Sequence, residues 1–413
     1  MWIRRGYVEL VRRLATQYPV VVLTGPRQTG KTALLRKSLP RVNFISLDLP
    51  SIAQQAEQSP GAFLEQHLEP LIVDEVQYAP GLFRHLKAAV DADRDRNGRF
   101  FLTGSQKFSL MQGISESLAG RAVIVEMDTL SSAEILGTRE TAATERAQFL
   151  WRGGYPALYK DPTLRVQDFY ASYVATYLQR DLRQQLNVGS LRDFERFLRS
   201  CAMRSAQMVN LSDMARDVGI AVSTAREWLS ALEASGLIFL LEPYFANLSK
   251  RLIKAPKMYM RDTGLLCFLL GFDSPAALVR SPSIGALWET FVLNQLIRHR
   301  QYTGTAAKLF YFRDTHGTEV DFLIEHNGRV RLMEAKWAEN PDGGDAKSIA
   351  KVREWLGPLA ADEHWIACRT PHNHLLANPP GIRAIDAWRM KDWFPEWVEA
   401  KAPTSPAKRR VPG

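Results

Sequence analysis

Eight consecutive residues near the amino terminus have the types and spacing of a phosphate-binding loop. The run is Gly25, Pro26, Arg27, Gln28, Thr29, Gly30, Lys31 and Thr32, which fits the pattern G-x-x-x-x-G-K-[ST]. The glycines permit backbone turns that aim N–H groups at phosphates, Lys31 would reach the β- and γ-phosphates, and the Thr32 hydroxyl would bind Mg²⁺. The sequence therefore predicts binding of a nucleoside triphosphate, and the cofactors that we expect are ATP and Mg²⁺.

Two carboxylates, Asp74 and Glu75, directly follow the apolar run 71–73. An acid pair at the carboxyl end of a strand is the Walker B arrangement, in which Asp74 would hold Mg²⁺, usually through water, and Glu75 would orient and polarise the attacking water. Two acids after a strand could also form a solvated turn. The phosphate-binding loop upstream favours the catalytic interpretation.

Two further positions could complete a hydrolytic site. After the apolar run 100–102 we expect Ser105, or failing that Thr103, to sense the γ-phosphate, although small polar residues also end strands as turn residues. Arg121 could act as an arginine finger on the nucleotide of a neighbouring subunit, or be an ordinary surface arginine. A shared site of this kind predicts a homo-oligomeric ring.

The elements that must position these side chains follow from the hydrophobic pattern. Apolar runs predict strands at residues 20–24, 42–47, 71–74, 100–103 and 122–127, with helical patterns between them. Alternating strands and helices predict an α/β domain with a parallel sheet covered on both faces. The first strand leads into the phosphate-binding loop, and the residues that follow the loop begin a helix.

Together these motifs resemble a family of AAA-type ATPases from archaea and bacteria that carry a C-terminal domain of unknown function. The resemblance rests on the loop with Pro26-Arg27-Gln28 inside it, on residues 71–75 followed by Val76-Gln77, on residues 102–105 and on Leu118-Ala119-Gly120-Arg121. It implies Walker A roles for Lys31 and Thr32, Walker B roles for Asp74 and Glu75, the sensor role for Ser105 and the arginine-finger role for Arg121. It covers nearly the whole chain.

The middle of the chain has the pattern of a winged helix. A short helix that starts near Asn210 breaks at Gly219, a second helix is predicted at 222–235, and 237–241 reads as a strand. Basic residues follow without an acid, and we expect them to contact DNA phosphates: Lys250, Arg251, Lys254, Lys257 and Arg261. Winged helices also serve as protein–protein modules, and lysines also protect exposed strand edges.

A second constellation lies in the C-terminal third. Asp321 on one predicted strand, Glu334 and Lys336 on the next, and Glu289 on an upstream helix form the PD-(D/E)xK nuclease pattern. Asp321 and Glu334 could share a divalent metal, and Lys336 could orient water or stabilise phosphorane charge. With the layout of the resembled family, this pattern predicts a restriction-endonuclease-like α/β domain. Cleavage, DNA binding and a structural role all stay open.

The composition limits the class of protein. The net charge of +9 favours a polyanionic partner. The three scattered cysteines favour a reducing, cytoplasmic compartment. The longest apolar run is too short to span a membrane. We expect an ATPase domain (1–135), a helical segment (136–204), a winged helix (205–274), a nuclease-like domain (275–400) and a disordered basic tail (401–413).

The leading functional expectation is an AAA-type ATPase that couples hydrolysis to binding or remodelling of DNA, for which branched duplex is one candidate form. Two alternatives follow from the same motifs. One is an ATP-controlled protein-interaction or regulatory switch, and the other is a metal-dependent DNA nuclease regulated by ATP.

Overall fold

The computed structural model describes residues 2–104, 114, 116–137, 142–177, 190–244, 254–392 and 394. The expectations for Ser105, Lys250, Arg251 and the tail 401–413 lie outside these residues.

Helices and strands alternate in the first third of the chain, and helices dominate the middle. The helices are α1 Tyr7–Ala15, α2 Lys31–Ser38, α3 Pro50–Gln58, α4 Pro60–Gln66, α5 Leu82–Ala92, α6 Ser132–Leu136, α7 Ala143–Arg152, α8 Ala157–Lys160, α9 Val166–Tyr177, α10 Leu191–Met203, α11 Leu211–Val218, α12 Val222–Ala234, α13 Thr263–Leu269, α14 Pro275–Arg280, α15 Ile284–Thr303 and α16 Lys347–Leu356. The strands are β1 Val20–Thr24, β2 Asn43–Ser46, β3 Leu71–Asp74, β4 Phe100–Gly104, β5 Ala122–Glu126, β6 Gln207–Met208, β7 Ile238–Leu241, β8 Lys257–Met260, β9 Lys308–Arg313, β10 Glu319–His326, β11 Arg329–Ala335, β12 His364–Cys368, β13 His374–Leu375 and β14 Ile382–Asp386.

The N-terminal sheet has five parallel strands in the order β2-β3-β4-β1-β5. Each predicted strand is present, with bounds shifted by at most one residue, which confirms the α/β prediction. Every residue of β1, β3 and β4 is buried, as expected for strands covered on both faces. Because the strands are parallel, their carboxyl ends meet at one edge, and this edge carries the phosphate-binding loop, Asp74 and Thr103.

The middle of the chain packs around aromatic side chains. Phe169, Tyr170 and Tyr173 are buried on α9 and belong to the largest hydrophobic core, as expected from their spacing. Helices α11 and α12 are joined at Gly219, which has a φ of 81°. Beside them lies an antiparallel sheet with the strand order β6-β8-β7.

The C-terminal sheet has six strands in the order β13-β14-β12-β11-β10-β9 and is mixed. Strands β9, β10 and β11 are antiparallel, whereas β11, β12 and β14 are parallel. A turn with positive φ at Asn327 and Gly328 joins β10 to β11, as predicted. Residues 311–313 are the last three residues of β9.

The first helix packs against α15, a helix in the last third of the chain. The Tyr7 hydroxyl of α1 donates to Gln301 Oε1 on α15 at 2.7 Å, and the Tyr7 and Tyr302 rings pack edge to face. Across the described ranges, none of the helices has the length and apolar character needed to cross a membrane.

Candidate nucleotide site

Glycine is required at the start of the phosphate-binding loop. Gly25 has a φ of 136°, and a Cβ atom there would lie 2.0 Å from the carbonyl oxygen of Met127. Gly30, the residue directly before α2, is left-handed with a φ of 92°. Both positions need a residue without a side chain, so the backbone can form a cradle in front of the helix.

The Lys31 side chain lies back along the loop. Its Nζ donates to the carbonyl oxygens of Gly25 at 2.9 Å and of Pro26 at 2.8 Å. Burial lowers the pKa of Lys31 to about 8, although the carboxylates of Glu75 and Asp74 oppose the shift. The two hydrogen-bond partners of the ammonium are uncharged carbonyl groups, and a phosphate anion would be a better partner.

Asp74 is the centre of a hydroxyl cluster. Thr32 Oγ1 donates to Asp74 Oδ1 at 2.6 Å, Thr103 Oγ1 donates to the same oxygen, and Ser46 Oγ lies 3.5 Å from Asp74 Oδ2. A carboxylate and a hydroxyl in contact at the mouth of the loop are the donor set that Mg²⁺ takes in nucleotide sites. The residues present therefore fit the Mg²⁺–triphosphate complex.

Glu75 leaves strand β3 with an unusual backbone. Its φ of 56° is left-handed, its N–H donates to Thr103 Oγ1 at 3.2 Å, and Gln77 Nε2 donates to its carboxylate. Thr103 thus contacts both members of the acid pair from the neighbouring strand. The structure places Thr103, which the sequence ranked second as sensor, in contact with Asp74.

An arginine that the sequence did not indicate braces the loop. Arg5 donates to the carbonyl oxygens of Thr29 and Asp128, both at 2.7 Å, and forms an ion pair with Glu134 at 3.0 Å. It is 4% exposed. In the sequence Arg5 is one of two arginines in a charged N-terminal segment, so only the fold distinguishes it from a surface residue.

A cavity of about 550 Å³ opens beside the loop. Its walls come from the N-terminal segment, the loop, helix α2 and helix α8, and are mainly apolar with lysines at the rim. The apolar lining residues include Trp2, Ile3, Leu130 and Pro156, and the two lysines are Lys37 and Lys160. Its size and lining suit a flat heterocycle attached to the phosphates.

Arg121 lies at the opposite edge of the sheet. It precedes β5, its carbonyl accepts from the N–H of Val20 at the start of β1, and its guanidinium is paired with Asp91 at 2.7 and 3.0 Å. The loop follows the other end of β1. Arg121 therefore cannot reach the nucleotide site of its own subunit.

The predicted nuclease residues come together in the C-terminal domain, around a lysine that was not predicted there. Lys257 Nζ lies 3.0 Å from Glu289 Oε1 and 3.8 Å from Asp321 Oδ1, and it also pairs with Glu319. Tyr259 donates to Glu289 at 2.6 Å. We call Glu289, Glu319 and Asp321, with Lys257, the carboxylate cluster.

Glu334 and Lys336 lie beside the cluster. Lys336 Nζ is 3.0 Å from Glu334 Oε2, and the N–H of Ala335 donates to Asp321 at 2.9 Å. Burial and the neighbouring Asp321 raise the pKa of Glu289 to about 7, and the same two causes raise the pKa of Glu334. Within the part of the chain that the structure describes, no three acidic, histidine or cysteine side chains are arranged to hold a metal ion.

The basic residues that we expected to contact DNA do not all lie on the surface. The prediction that Lys257 belongs to an accessible basic surface is wrong, because its side chain is 3% exposed and the carboxylates raise its pKa although burial opposes the shift. Arg261 is also buried and pairs with Asp128. Lys254 is exposed.

Comparisons with known proteins agree with the N-terminal fold. Residues 17–136 match the family described as AAA domain, and residues 144–276 and 284–383 match two domains of unknown function, DUF8612 and DUF4143. Uncharacterized proteins of Mycobacterium tuberculosis and Mycobacterium bovis are each 35% identical over 368 residues, which is 86% of this chain and 79% of theirs.

Among solved structures, the Walker-type ATPase PABY2304 of Pyrococcus abyssi aligns at 15% identity and a TM-score of 0.44, over 65% of this chain and 96% of that one. The RuvB Holliday junction branch migration motor of Thermotoga maritima aligns at 20% identity and 0.28, over 57% and 89%. Scores this low support no conclusion about function. On the sequence identity to the mycobacterial proteins and the AAA domain match, the chain belongs to the family of those two proteins and is a P-loop AAA-type ATPase with two further domains of unknown function.

Proposed function

We propose that this protein hydrolyses ATP and uses the hydrolysis to control binding or remodelling of DNA. The observation that carries the hydrolytic part is the convergence of Thr32, Thr103 and Asp74 at the mouth of the loop, with Glu75 beside them. Thr32 comes from helix α2, Thr103 from strand β4, and Asp74 from the end of the neighbouring strand β3. The arrangement has the parts that phosphoryl transfer to water requires.

Each side chain has a distinct role in this proposal. Lys31 binds the β- and γ-phosphates, Thr32 and Asp74 hold Mg²⁺, and Glu75 orients the attacking water. Thr103 holds the backbone of Glu75 and the carboxylate of Asp74 in register. When bound, Mg²⁺ neutralises charge that develops on the transferred phosphoryl group. The cavity beside the loop receives the base.

The DNA part of the proposal has electrostatic support. The chain carries a net charge of +9. Helix α10 exposes Arg192, Arg196 and Arg199, whose spacing puts them on one face of the helix. Arg196 and Arg199 are paired with acids at 3.6 and 3.1 Å, but the pairs are exposed and exchangeable. Such a face would bind phosphates in a salt-dependent way.

A second candidate function is an ATP-controlled protein-interaction switch. It is favoured by the exposed face of α12, the helix that would read DNA in a winged helix. There Arg226 is followed by Glu227, so the charges cancel, and Val222 is 40% exposed. A neutral face with an exposed apolar residue suits contact with a protein better than contact with phosphates.

ATP turnover of the wild type and of Glu75→Gln tests the proposal. Loss of the carboxylate should lower turnover by about 10²–10⁴-fold, while ATP binding measured by calorimetry stays. The matched control is Glu65→Gln, which changes an exposed glutamate on α4. Turnover by Glu75→Gln at the wild-type rate would rule out the assigned hydrolytic site.

The same assay with single-stranded, duplex and four-way DNA across a salt series separates the two candidate functions. If DNA controls the ATPase, DNA should stimulate ATP turnover, and this stimulation should fall steeply as the salt concentration rises. The double variant Arg192→Ala with Arg196→Ala should show less stimulation than the wild type. The control for that pair is Arg165→Ala, an exposed arginine elsewhere. ATP turnover that is unchanged by all three forms of DNA would favour the protein-interaction switch.

A further inference from the structure

One short segment runs from the carboxylate cluster to the neighbourhood of the phosphate-binding loop. It comprises β8 and the two residues after it, Arg261 and Asp262. Lys257, Tyr259 and Arg261 alternate along it and therefore point to the same side. The first two contact Glu289, whereas Arg261 contacts Asp128, two residues after the end of β5. Four residues of strand separate the two ends by about 13 Å.

The loop reaches Arg261 through the strand beside it. Gly25 packs directly on the carbonyl oxygen of Met127, and the N–H of Met127 donates to the carbonyl oxygen of Thr24 at 2.8 Å. The next residue, Asp128, is fully buried and accepts from Arg261 Nε at 3.0 Å. The backbone at Gly25 is therefore in direct contact with Met127, the residue before the partner of Arg261.

A second contact from the loop reaches the same arginine. A Cβ atom on Gly236 would lie 3.1 Å from Pro26 Cγ, so the Pro26 ring packs against the start of β7. The carbonyl oxygen of the following residue, Leu237, accepts from the N–H of Arg261 at 2.9 Å. Both contacts therefore lead from the loop to Arg261, one through Asp128 and the other through Leu237.

Buried charge pairs hold this segment to its neighbours. The Arg261 and Asp128 side chains are 6% and 0% exposed, and the neighbouring Asp262 accepts from Thr129 at 3.1 Å and from Tyr170 at 2.7 Å. Separating a buried charge from its partner is costly. If Asp128 is displaced, it therefore costs less free energy for Arg261 to move with it than for the ion pair to separate.

At the other end, Lys257 supplies a buried positive charge to the carboxylate cluster. Its ammonium contacts Glu289, Glu319 and Asp321 together. These contacts hold β8 in its present position against α15 and β10. We propose that β8 couples the phosphate-binding loop to the carboxylate cluster, so that bound ATP shifts Lys257 relative to its three carboxylates.

This coupling rests on the proposed function in one respect, because it requires that ATP binds at the loop. It adds a prediction that the proposed function does not make. If the contacts of Lys257 with its three carboxylates oppose the shift that ATP causes, removing the ammonium should make the shift easier and tighten ATP binding. Coupling between sites typically changes affinity by about 5–150-fold, and the effect is reciprocal.

The test compares ATP affinity in the full-length wild type and in Lys257→Met, by calorimetry with Mg²⁺ and a non-hydrolysable ATP analogue. We expect the dissociation constant to fall at least about fivefold in Lys257→Met. The matched control is Lys308→Met, which removes an exposed lysine paired with Glu325 in the same domain and should change nothing. An unchanged or weaker affinity in Lys257→Met would overturn the coupling.

Two further variants protect the test against misfolding, because Lys257→Met leaves buried carboxylates without a cation. Glu319→Gln loosens the hold on Lys257 while Glu289 still pairs with it, and Lys257→Met with Glu289→Gln removes both members of one pair. Both should tighten binding of the analogue. If folded Glu319→Gln and the folded double variant both keep the wild-type affinity, the coupling is wrong.

Hydrogen exchange gives the reciprocal measurement on the same proteins. In the wild type, the analogue should change the hydrogen-exchange protection of the backbone amides at 257–262 and at 319–321. In Lys257→Met, the change at 319–321 should be absent. A wild type that does not bind the analogue would overturn the proposed function, and the coupling with it. A wild type that binds it without any change at 257–262 would overturn the coupling alone.

Discussion

Lys31 is the residue whose chemistry is most affected by its surroundings in the nucleotide site. Burial lowers its pKa to about 8, so half of its ammonium is deprotonated near that pH and the charge is lost above it. A bound triphosphate places negative charge beside the ammonium and raises its pKa, so binding takes up a proton above pH 8. We expect ATP affinity to be flat below pH 8 and to fall by up to about tenfold per unit above it.

Calorimetry between pH 7 and 10, in two buffers with different protonation enthalpies, measures both the affinity and the proton uptake. The matched control is Lys31→Arg, because arginine stays charged throughout this range and should give a flat profile. Equal wild-type affinities at pH 7.5 and 9.5 would contradict the assignment.

At the scale of elements, the carboxyl edge of the parallel sheet shapes the loop, because β5 lies directly against it. Gly25→Ala would put a Cβ atom 2.0 Å from Met127 O at a φ of 136°. We expect a loss of at least about 1–3 kcal/mol in the free energy of unfolding, from backbone strain alone, together with loss of ATP binding. Thermal melts and calorimetry measure the two effects.

Gly271→Ala is the matched control for the loop, because Gly271 has a φ of 80° with open space around it. It should cost only the left-handed backbone penalty of about 1–2 kcal/mol. If Gly25→Ala destabilised the protein no more than Gly271→Ala and still bound ATP, the close approach of β5 would have no part in shaping the site.

At the scale of the whole molecule, the position of Arg121 makes a shared nucleotide site testable. Arg121 lies at the far edge of the sheet from its own loop, so it could complete a site only in a neighbouring subunit. Arg121→Ala and Lys31→Ala should each lack ATP turnover. In an equal mixture of the two variants, roughly a quarter of the sites should be active, because a working site needs Lys31 from one subunit and Arg121 from its neighbour.

The ion pair with Asp91 supplies the control for this mixing experiment. If Arg121 only stabilised its own subunit through that pair, Asp91→Asn would lower turnover as much as Arg121→Ala, and mixing would restore nothing. Turnover by Arg121→Ala at the wild-type rate in the assembled state would exclude the arginine-finger role.

The sequence by itself determined the features whose parts are contiguous. The loop 25–32, the acid pair after β3, the five parallel strands and the turn at Asn327-Gly328 are all set by neighbouring residues, because local backbone preference and hydrophobic period act over a few positions. For the same reason the helix break at Gly219 and the aromatic core on α9 could be predicted.

Only the tertiary structure decided which charged side chains are buried and with which partners. In the sequence, Lys257 and Arg261 belong to a basic run that is typical of a surface, and Arg5 stands in a charged terminal segment. In the fold, each is buried against acidic or carbonyl groups far away along the chain: Lys257 against Glu289, Arg261 against Asp128, and Arg5 against Glu134. A buried charge is stable only with a partner in place, and distant partners are brought together by packing, which no local pattern encodes.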